Sequence, residues 1–195
     1  MNIDVTMPSN IALIKYMGKI DHRLNIASNH SLSVTLERFF STCSVHQSDD
    51  DHWINHPKTP LNPKEQERAL KHAQIIKEHL GYSGCWTITC HNNFPKSAGI
   101  ASSASSMAAL TKGCVQFIES QSNGPKLNTQ EIAALSQMGS GSSCRSFFAP
   151  IAVWQNEHIF NLDCPFDLVH FVVLFDASEK KVSSSMAHQK VSRSP

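Results

Sequence analysis

Two glycine- and serine-rich runs constrain this chain most, Asn93 to Ser106 and Gly139 to Arg145. Each abuts a helical pattern, and the first follows a strand pattern. Small residues let backbone N–H groups come close to an anion, and a following helix N-terminus adds partial positive charge. Two such runs in 195 residues imply a small domain that holds two phosphate-bearing molecules, a substrate and a cofactor. The first run is not a P-loop, because the G-x-x-x-x-G-K-[ST] pattern is absent. Taken singly, it also fits a Ser-rich start to an Ala-rich helix, and the second also fits a surface turn. Arg145 shifts the balance, since an Arg beside such a nest can grip a carboxylate or phosphate with two hydrogen bonds.

The rest of the pattern supplies a frame for these runs. Ile11 to Tyr16 reads as a strand, followed by a turn at Gly18. Ser31 to Leu36 alternates strictly, and Phe39 to Val45 reads as its hairpin partner. Asn62-Pro63-Lys64-Glu65 carries an N-cap, a Pro at N1 and a Glu at N3, so a helix is expected to about Leu80, stopped by Gly81. Cys85 to His91 is a strand, Ser102 to Glu119 a small-residue helix, and Gln121 to Pro125 a loop. Asn128-Thr129-Gln130-Glu131 opens a second capped helix to about Met138. Phe147 to Trp154 and Asp167 to Phe175 read as buried strands. Strands first, then mixed helices and strands, predict an α+β fold: a mixed β-sheet with helices packed on one face. Residues 1–182 form the expected domain, and the Ser-rich stretch 183–195 reads as a connector.

Lys15 stands in the otherwise apolar first strand. Buried there, it needs an anionic partner or it neutralises; on an edge strand it simply points outward.

Charge and composition exclude several classes. The net charge is +1 and the pI about 7.7, unlike a basic nucleic-acid surface. No apolar run approaches the roughly 18 residues of a membrane helix. Met1 to Asp4 lacks the features of a secretion signal. Six cysteines form no C-x-x-C pair, and they are expected to be reduced thiols in a cytoplasmic protein. His52 and His56 near Asp49, Asp50 and Asp51 have a metal-like spacing, but they fit a polar surface loop better, because a metal needs converging ligands.

Three segments together resemble a known family. Pro95-x-x-x-Gly99-Ile100-x-Ser102-Ser103-Ala104 is similar to the phosphate loop of the GHMP kinase superfamily. Asn10-Ile11-Ala12, Lys15-Tyr16, Gly18-Lys19, Asn29 with Ser31 to Leu36, and Gly139 to Ser142 with Cys144-Arg145-Ser146 narrow the resemblance to the diphosphomevalonate decarboxylases. Lys180 to Ser184 resembles the start of that family's link to its second half. The resemblance implies the GHMP N-terminal fold, ATP and Mg2+ as cofactors, a homodimer, and a role in isoprenoid biosynthesis. The implied reaction phosphorylates the tertiary hydroxyl of mevalonate 5-diphosphate, then loses phosphate and CO2 to give isopentenyl diphosphate. Catalysis of that kind is positioning and electrostatics.

By resemblance, Ser102 and Ser103 line the ATP phosphate loop with Pro95, Gly99, Ala101 and Ser105, and Ser103 also meets the metal. Ser140, Gly141 and Ser142 hold the substrate diphosphate. Arg145 pairs with the substrate carboxylate, oriented by Asn10, and Lys15 polarises the hydroxyl. Tyr16 and Lys19 line the substrate entrance. Met17 stands where the family usually has Trp, and His30 where a small Ser is common. Arg68 is a candidate for the family's helix Arg. The family's catalytic Asp lies in a C-terminal half with no counterpart here, so this sequence corresponds to the N-terminal domain. Two alternatives remain open: a related GHMP kinase or decarboxylase acting on mevalonate or its monophosphate, and a non-catalytic ATP-binding remnant.

Overall fold

The structure is a computed structural model that describes residues 1–21, 23–96, 99–121, 126–156, 158–165 and 168–173. The expected connector over 183–195, the Lys180 to Ser184 motif and most of the Gln121 to Pro125 loop lie outside the described residues.

Among the described residues there are eight strands and three α-helices, and the three helices fall where the residue pattern predicts them. Strands β1 (Asn2–Ile14), β4 (Ser31–Ser48), β5 (His52–Trp53), β6 (Cys85–Asn92), β7 (Ile151–Gln155) and β8 (His158–Leu162) form one sheet. Its order is β5-β6-β4-β7-β8, with β1 on the other side of β4. Only the β5–β6 pairing is parallel, so the sheet is mixed. A small hairpin, β2 (Lys19–Asp21) and β3 (Ile26–Ala27), stands apart.

Register explains which face the helices cover. Val5–Cys43–Cys90 and Ile3–Val45–Ile88 are rows of directly opposed residues across β1, β4 and β6, and all but Ile3 are buried. The intervening rows, Asp4–Ser44–Thr89 and Thr6–Thr42–His91, are polar. Such alternation marks an antiparallel sheet covered on one side only. Helix α2 (Ser102–Gln121) lies on the apolar rows of β1 and β4, with α1 (Pro63–Leu80) and α3 (Thr129–Gly139) against it. Ala108, Ala109 and Cys114 are fully buried, and these small side chains let α2 sit close to the sheet. The fold is therefore the expected α+β arrangement.

Both helix starts match their sequence signals. Asn62 accepts from the Glu65 N–H while Glu65 accepts from the Asn62 N–H, and Asn128 and Glu131 repeat the exchange. Gly81 ends α1 at φ +65°, a conformation that favours glycine.

Several expectations need correction. Ser31 to Leu36 and Phe39 to Val45 are one strand, not a hairpin. Pro8 pairs Phe40 and Ser9 pairs Leu36, so Glu37, Arg38 and Phe39 bulge out of a continuous ladder. A bulge adds residues and bends the strand without reversing it. Strand β1 begins at Asn2 and ends at Ile14, so Lys15 lies beyond the strand and is exposed. The expected strand from Phe147 begins only at Ile151, because Phe147 closes a 3-10 helix, Gly141–Phe147. Within 167–175, residues 168–173 have no regular structure, and Val169 and Phe171 are exposed.

Candidate active site

A cleft of about 1010 Å³ opens where the end of β1, the start of α2 and the second Gly/Ser run converge. It brings together Asn10, Lys15, Tyr16, Lys19, Gly99, Ala101, Ser102, Ser103, Ser140, Gly141, Ser142 and Arg145. Two predicted residues are not on its wall. Pro95 is exposed elsewhere in its loop, and Ser105 is fully buried, with its hydroxyl paired to Ser41 at 2.7 Å. The helical period accounts for Ser105. Two residues after Ser103, about 200° around the helix, the Ser105 side chain faces the sheet, while Ser106, one turn after Ser102, returns to the cleft, so a Ser-rich run cannot present every hydroxyl to one ligand.

Arg145 is the most constrained group. It sits on the 3-10 helix and is only 3% exposed. Its Nη1 donates to the Ser31 hydroxyl at 2.8 Å, and its Nη2 donates to Asn10 Oδ1 at 3.2 Å. Asn10 is itself locked, since its Nδ2 donates to Ser146 Oγ at 2.9 Å and to the Ser142 carbonyl at 3.3 Å. The guanidinium lies 5.9 Å from the centre of the Tyr16 ring, and Tyr16 packs edge-on against Trp154. Among the described residues the ion pairs are His52–Asp50, Lys77–Asp51 and Lys96–Glu65, so Arg145 has neutral partners only. Burial disfavours its charge and pulls its pKa down. Burying a cation without a counter-ion is costly. The arrangement makes sense as a receptor for an anion.

The surrounding charge agrees. Lys15, Lys19, Arg68, Lys96 and Arg145 line the cleft, against Glu65 as the one acid among the described lining residues. Glu65 already serves the α1 capping box and pairs with Lys96 at 2.9 Å. Burial, and then the Arg68 charge, lower the Lys19 pKa. Burial raises the Tyr16 pKa, while Arg145 opposes that shift.

The start of α2 stands on another wall of the same cleft. Ser102 and Ser103, its first two residues, line the cleft. Ala101, the residue before the helix, has φ +53°, strained for a residue with a Cβ. Gly99 at φ +80° takes the same left-handed region without that cost.

Glycine also leaves room at 141, where a Cβ would stand 2.5 Å from the Tyr16 hydroxyl oxygen and force that side chain to move. That close approach lets the second run fold against Tyr16 and Arg145.

Three contributors were only partly legible in the sequence. Arg68, a candidate only, lines the cleft and donates to the Gly139 carbonyl at 2.5 Å. Asn25, at φ +56°, accepts from Lys19 Nζ and donates to the carbonyls of Gln137 and Met138 at the end of α3. It ties the β2–β3 hairpin to the second run. Ser31 was part of a motif, but its role as the Arg145 acceptor follows only from the pairing of distant strands. The His52 and His56 region is a surface feature: His56 stacks on His91, and no metal-holding cluster of His, Cys, Asp or Glu exists among the described residues. No helix among them is long and apolar enough to cross a membrane.

The profile of the diphosphomevalonate decarboxylase-like N-terminal domain family matches residues 7–164. The diphosphomevalonate decarboxylase of Candida albicans is 33% identical over 165 residues, covering 77% of this chain and 44% of that protein. A crystal structure of a mevalonate diphosphate decarboxylase from Legionella pneumophila superposes with a TM-score of 0.89 at 41% identity, covering all of this chain and 64% of that one. The protein named MDDEF, solved in complex with MVAPP, AMPPCP and magnesium, gives a TM-score of 0.70 at 29% identity over 80% of this chain and 47% of that one. The chain thus spans under half the length of that curated relative.

Proposed function

The chain belongs to the diphosphomevalonate decarboxylase-like N-terminal domain family, and from that premise we propose that it supplies the phosphate- and carboxylate-binding half of an ATP-dependent decarboxylase of mevalonate 5-diphosphate. The product would be isopentenyl diphosphate. The observation that carries this reading is Arg145, buried among neutral acceptors at the wall of a cation-lined cleft.

Each residue has a role that follows from its place. Arg145 receives the substrate carboxylate, and Asn10 and Ser31 fix the plane of its guanidinium. Holding the carboxylate does not stabilise its loss, because charge leaves that group as CO2 departs. The role of Arg145 is orientation, aligning the breaking C–C bond with the leaving oxygen at C3. Lys19, Ser140, Gly141 and Ser142 hold the substrate diphosphate, and Arg68 adds charge on that side. Lys15, exposed at the cleft mouth, meets the tertiary hydroxyl and the phosphoryl group transferred to it. The N-terminus of α2, with Ser102 and Ser103, receives the nucleotide phosphates.

Magnesium fits this donor set only modestly. The Ser103 hydroxyl is the one protein ligand proposed for it, with phosphate oxygens completing the shell. When bound it would neutralise charge on the phosphates. A cytoplasmic homodimer is part of the same proposal, on the strength of the family resemblance.

The test is CO2 release from carboxyl-labelled mevalonate 5-diphosphate with ATP and Mg2+, alongside calorimetric binding of each ligand. Arg145→Ala is expected to abolish release while nucleotide binding survives. Binding of both ligands without release supports a binding half that needs a further catalytic carboxylate. Unchanged turnover in the variant, or no binding of either ligand, overturns the proposal.

A further inference from the structure

We propose that Cys43 and Cys90 form a cross-strand thiol pair that a low-molecular-weight disulfide, such as oxidised glutathione, converts to a disulfide by entering through the ligand cleft. The two residues are direct register partners in the antiparallel β4–β6 ladder. Directly opposed residues have Cα atoms about 4.5–5.5 Å apart, inside the roughly 4.4–6.8 Å span that disulfides use. Both side chains lie in the apolar row that faces α2. The spacing of opposed residues is therefore compatible with a disulfide.

Access distinguishes the pair from the other cysteines. Cys43, Cys114 and Cys144 are fully buried. Cys90 is 6% exposed and lines the cleft, as do Trp53, Leu61, Met107 and Leu110. Cys85 and Cys164 are half-buried and outside the cleft lining. A reagent in the cleft therefore meets Cys90 first, and Cys43 stands opposite it on the neighbouring strand β4.

The chemistry balances in two exchanges. Cys90 loses its proton, its thiolate attacks one sulfur of the small disulfide, and a glutathione thiolate leaves. Cys43 then gives up its proton and attacks the Cys90 sulfur of the mixed disulfide, and the second glutathione leaves. Two protein thiols are oxidised and one small disulfide is reduced to two thiols. Burial pushes the Cys43 thiol well up, so Cys43 is the resolving group and its step is the slow one. The same burial keeps the finished bond away from reductants while the cleft is occupied.

The route of entry rests on the cleft being the nucleotide site, so that part needs its own control. The reduced, folded chain is incubated with oxidised glutathione, with and without ATP and Mg2+, and its remaining thiols are then alkylated and mapped by mass spectrometry. The expected product lacks two hydrogens and joins the peptides containing Cys43 and Cys90. Cys90→Ser abolishes it, and Cys85→Ser and Cys164→Ser leave it unchanged. With nucleotide at ten times its Kd, the cleft is free about a tenth of the time, so the rate falls about tenfold. A link to Cys114 instead, or a persistent glutathione adduct on Cys90 alone, overturns the pair. An unchanged rate with calorimetrically confirmed nucleotide binding overturns the route. Absence of nucleotide binding counts against the proposed function, while the link itself still decides the pair.

Discussion

His72 gives this fold a defined weakness toward acid. Its side chain is 2% exposed between α1 and α2. The Thr111 hydroxyl donates to the Met107 carbonyl at 2.8 Å, so it accepts from His72 Nε2 at 2.9 Å. The proton of the neutral ring is therefore on Nε2, and Nδ1 is buried without a hydrogen-bond partner. A second proton on Nδ1 would place a cation in that space, with Arg68 one turn away on α1. Burial first, and Arg68 second, lower the His72 pKa from 6.5 to about 4. Above pH 6.5 both folded and unfolded chains carry His72 neutral, and stability is complete. As pH falls, the unfolded chain takes up a proton that the folded chain refuses, so stability drops between about 6.5 and 4 and then levels off. At about 1.4 kcal/mol per pH unit, the full loss is roughly 3 kcal/mol, of which about 2 kcal/mol is reached by pH 5. His72→Gln keeps a donor toward Thr111 and removes the titration. Urea denaturation at about pH 7.5 and pH 5 should show the parent chain losing about 2 kcal/mol more than the variant. Equal losses in the two chains would refute the argument, because the other histidines contribute to both.

Other perturbations test other parts of the structure. Asp51 holds Lys77 with both carboxylate oxygens, at 2.6 and 2.5 Å, and also accepts the Trp86 N–H. The Lys77 side chain is only 5% exposed, so Asp51→Ala strands a buried ammonium. Because the carboxylate is partly solvated, the expected loss is about 2–3 kcal/mol, at or below the range for buried pairs, and a loss under about 1 kcal/mol in chemical denaturation contradicts it. Ala101→Gly should raise stability by about 0.5–1 kcal/mol by relieving the positive φ, whereas Ala101→Val should lower it; thermal melts that reverse this order would exclude strain at that residue. Gly141→Ala should cost about 1–3 kcal/mol by driving a methyl into Tyr16. Since the nearest atom is the Tyr16 hydroxyl oxygen, adding Tyr16→Phe should recover part of the loss, and strict additivity of the two changes would show that they do not touch.

Local chemistry is legible in this sequence, and long-range pairing is not. The two capping boxes and Gly81 announce α1 and α3, because every participant lies within a few residues. The alternation of Cys85 to Asn92 likewise declares a half-covered strand. Glu37 and Arg38 interrupt the alternation of β4 and mimic a hairpin, although neither has turn chemistry. What keeps β4 continuous is β1, nearly thirty positions away in sequence, whose register steps from Phe40 to Leu36 across Pro8 and Ser9. The same limit governs the site. The motifs mark Asn10, Ser140 to Ser142 and Arg145, but the Arg145–Ser31 contact exists only because β4 and the 3-10 helix fold together. Ser105 shows the reverse error, since a compositional run counts every Ser while the helical period sends Ser105 to the sheet and returns Ser106 to the cleft. Asn25 looks like any loop Asn, and its positive φ and three partners emerge only in the assembled fold.

The central claim is that Arg145 is a carboxylate receptor beside a diphosphate site. Mevalonate 5-diphosphate and isopentenyl diphosphate share the diphosphate, and only the first carries a carboxylate. Calorimetry should show the parent chain binding the first about ten- to hundredfold more tightly, the equivalent of about 1.5–3 kcal/mol for hydrogen bonds to a charged group. Arg145→Gln, with an unchanged circular dichroism spectrum, should erase that preference while keeping affinity for isopentenyl diphosphate. Equal affinities in the parent chain, or a preference that survives the substitution, would contradict the account.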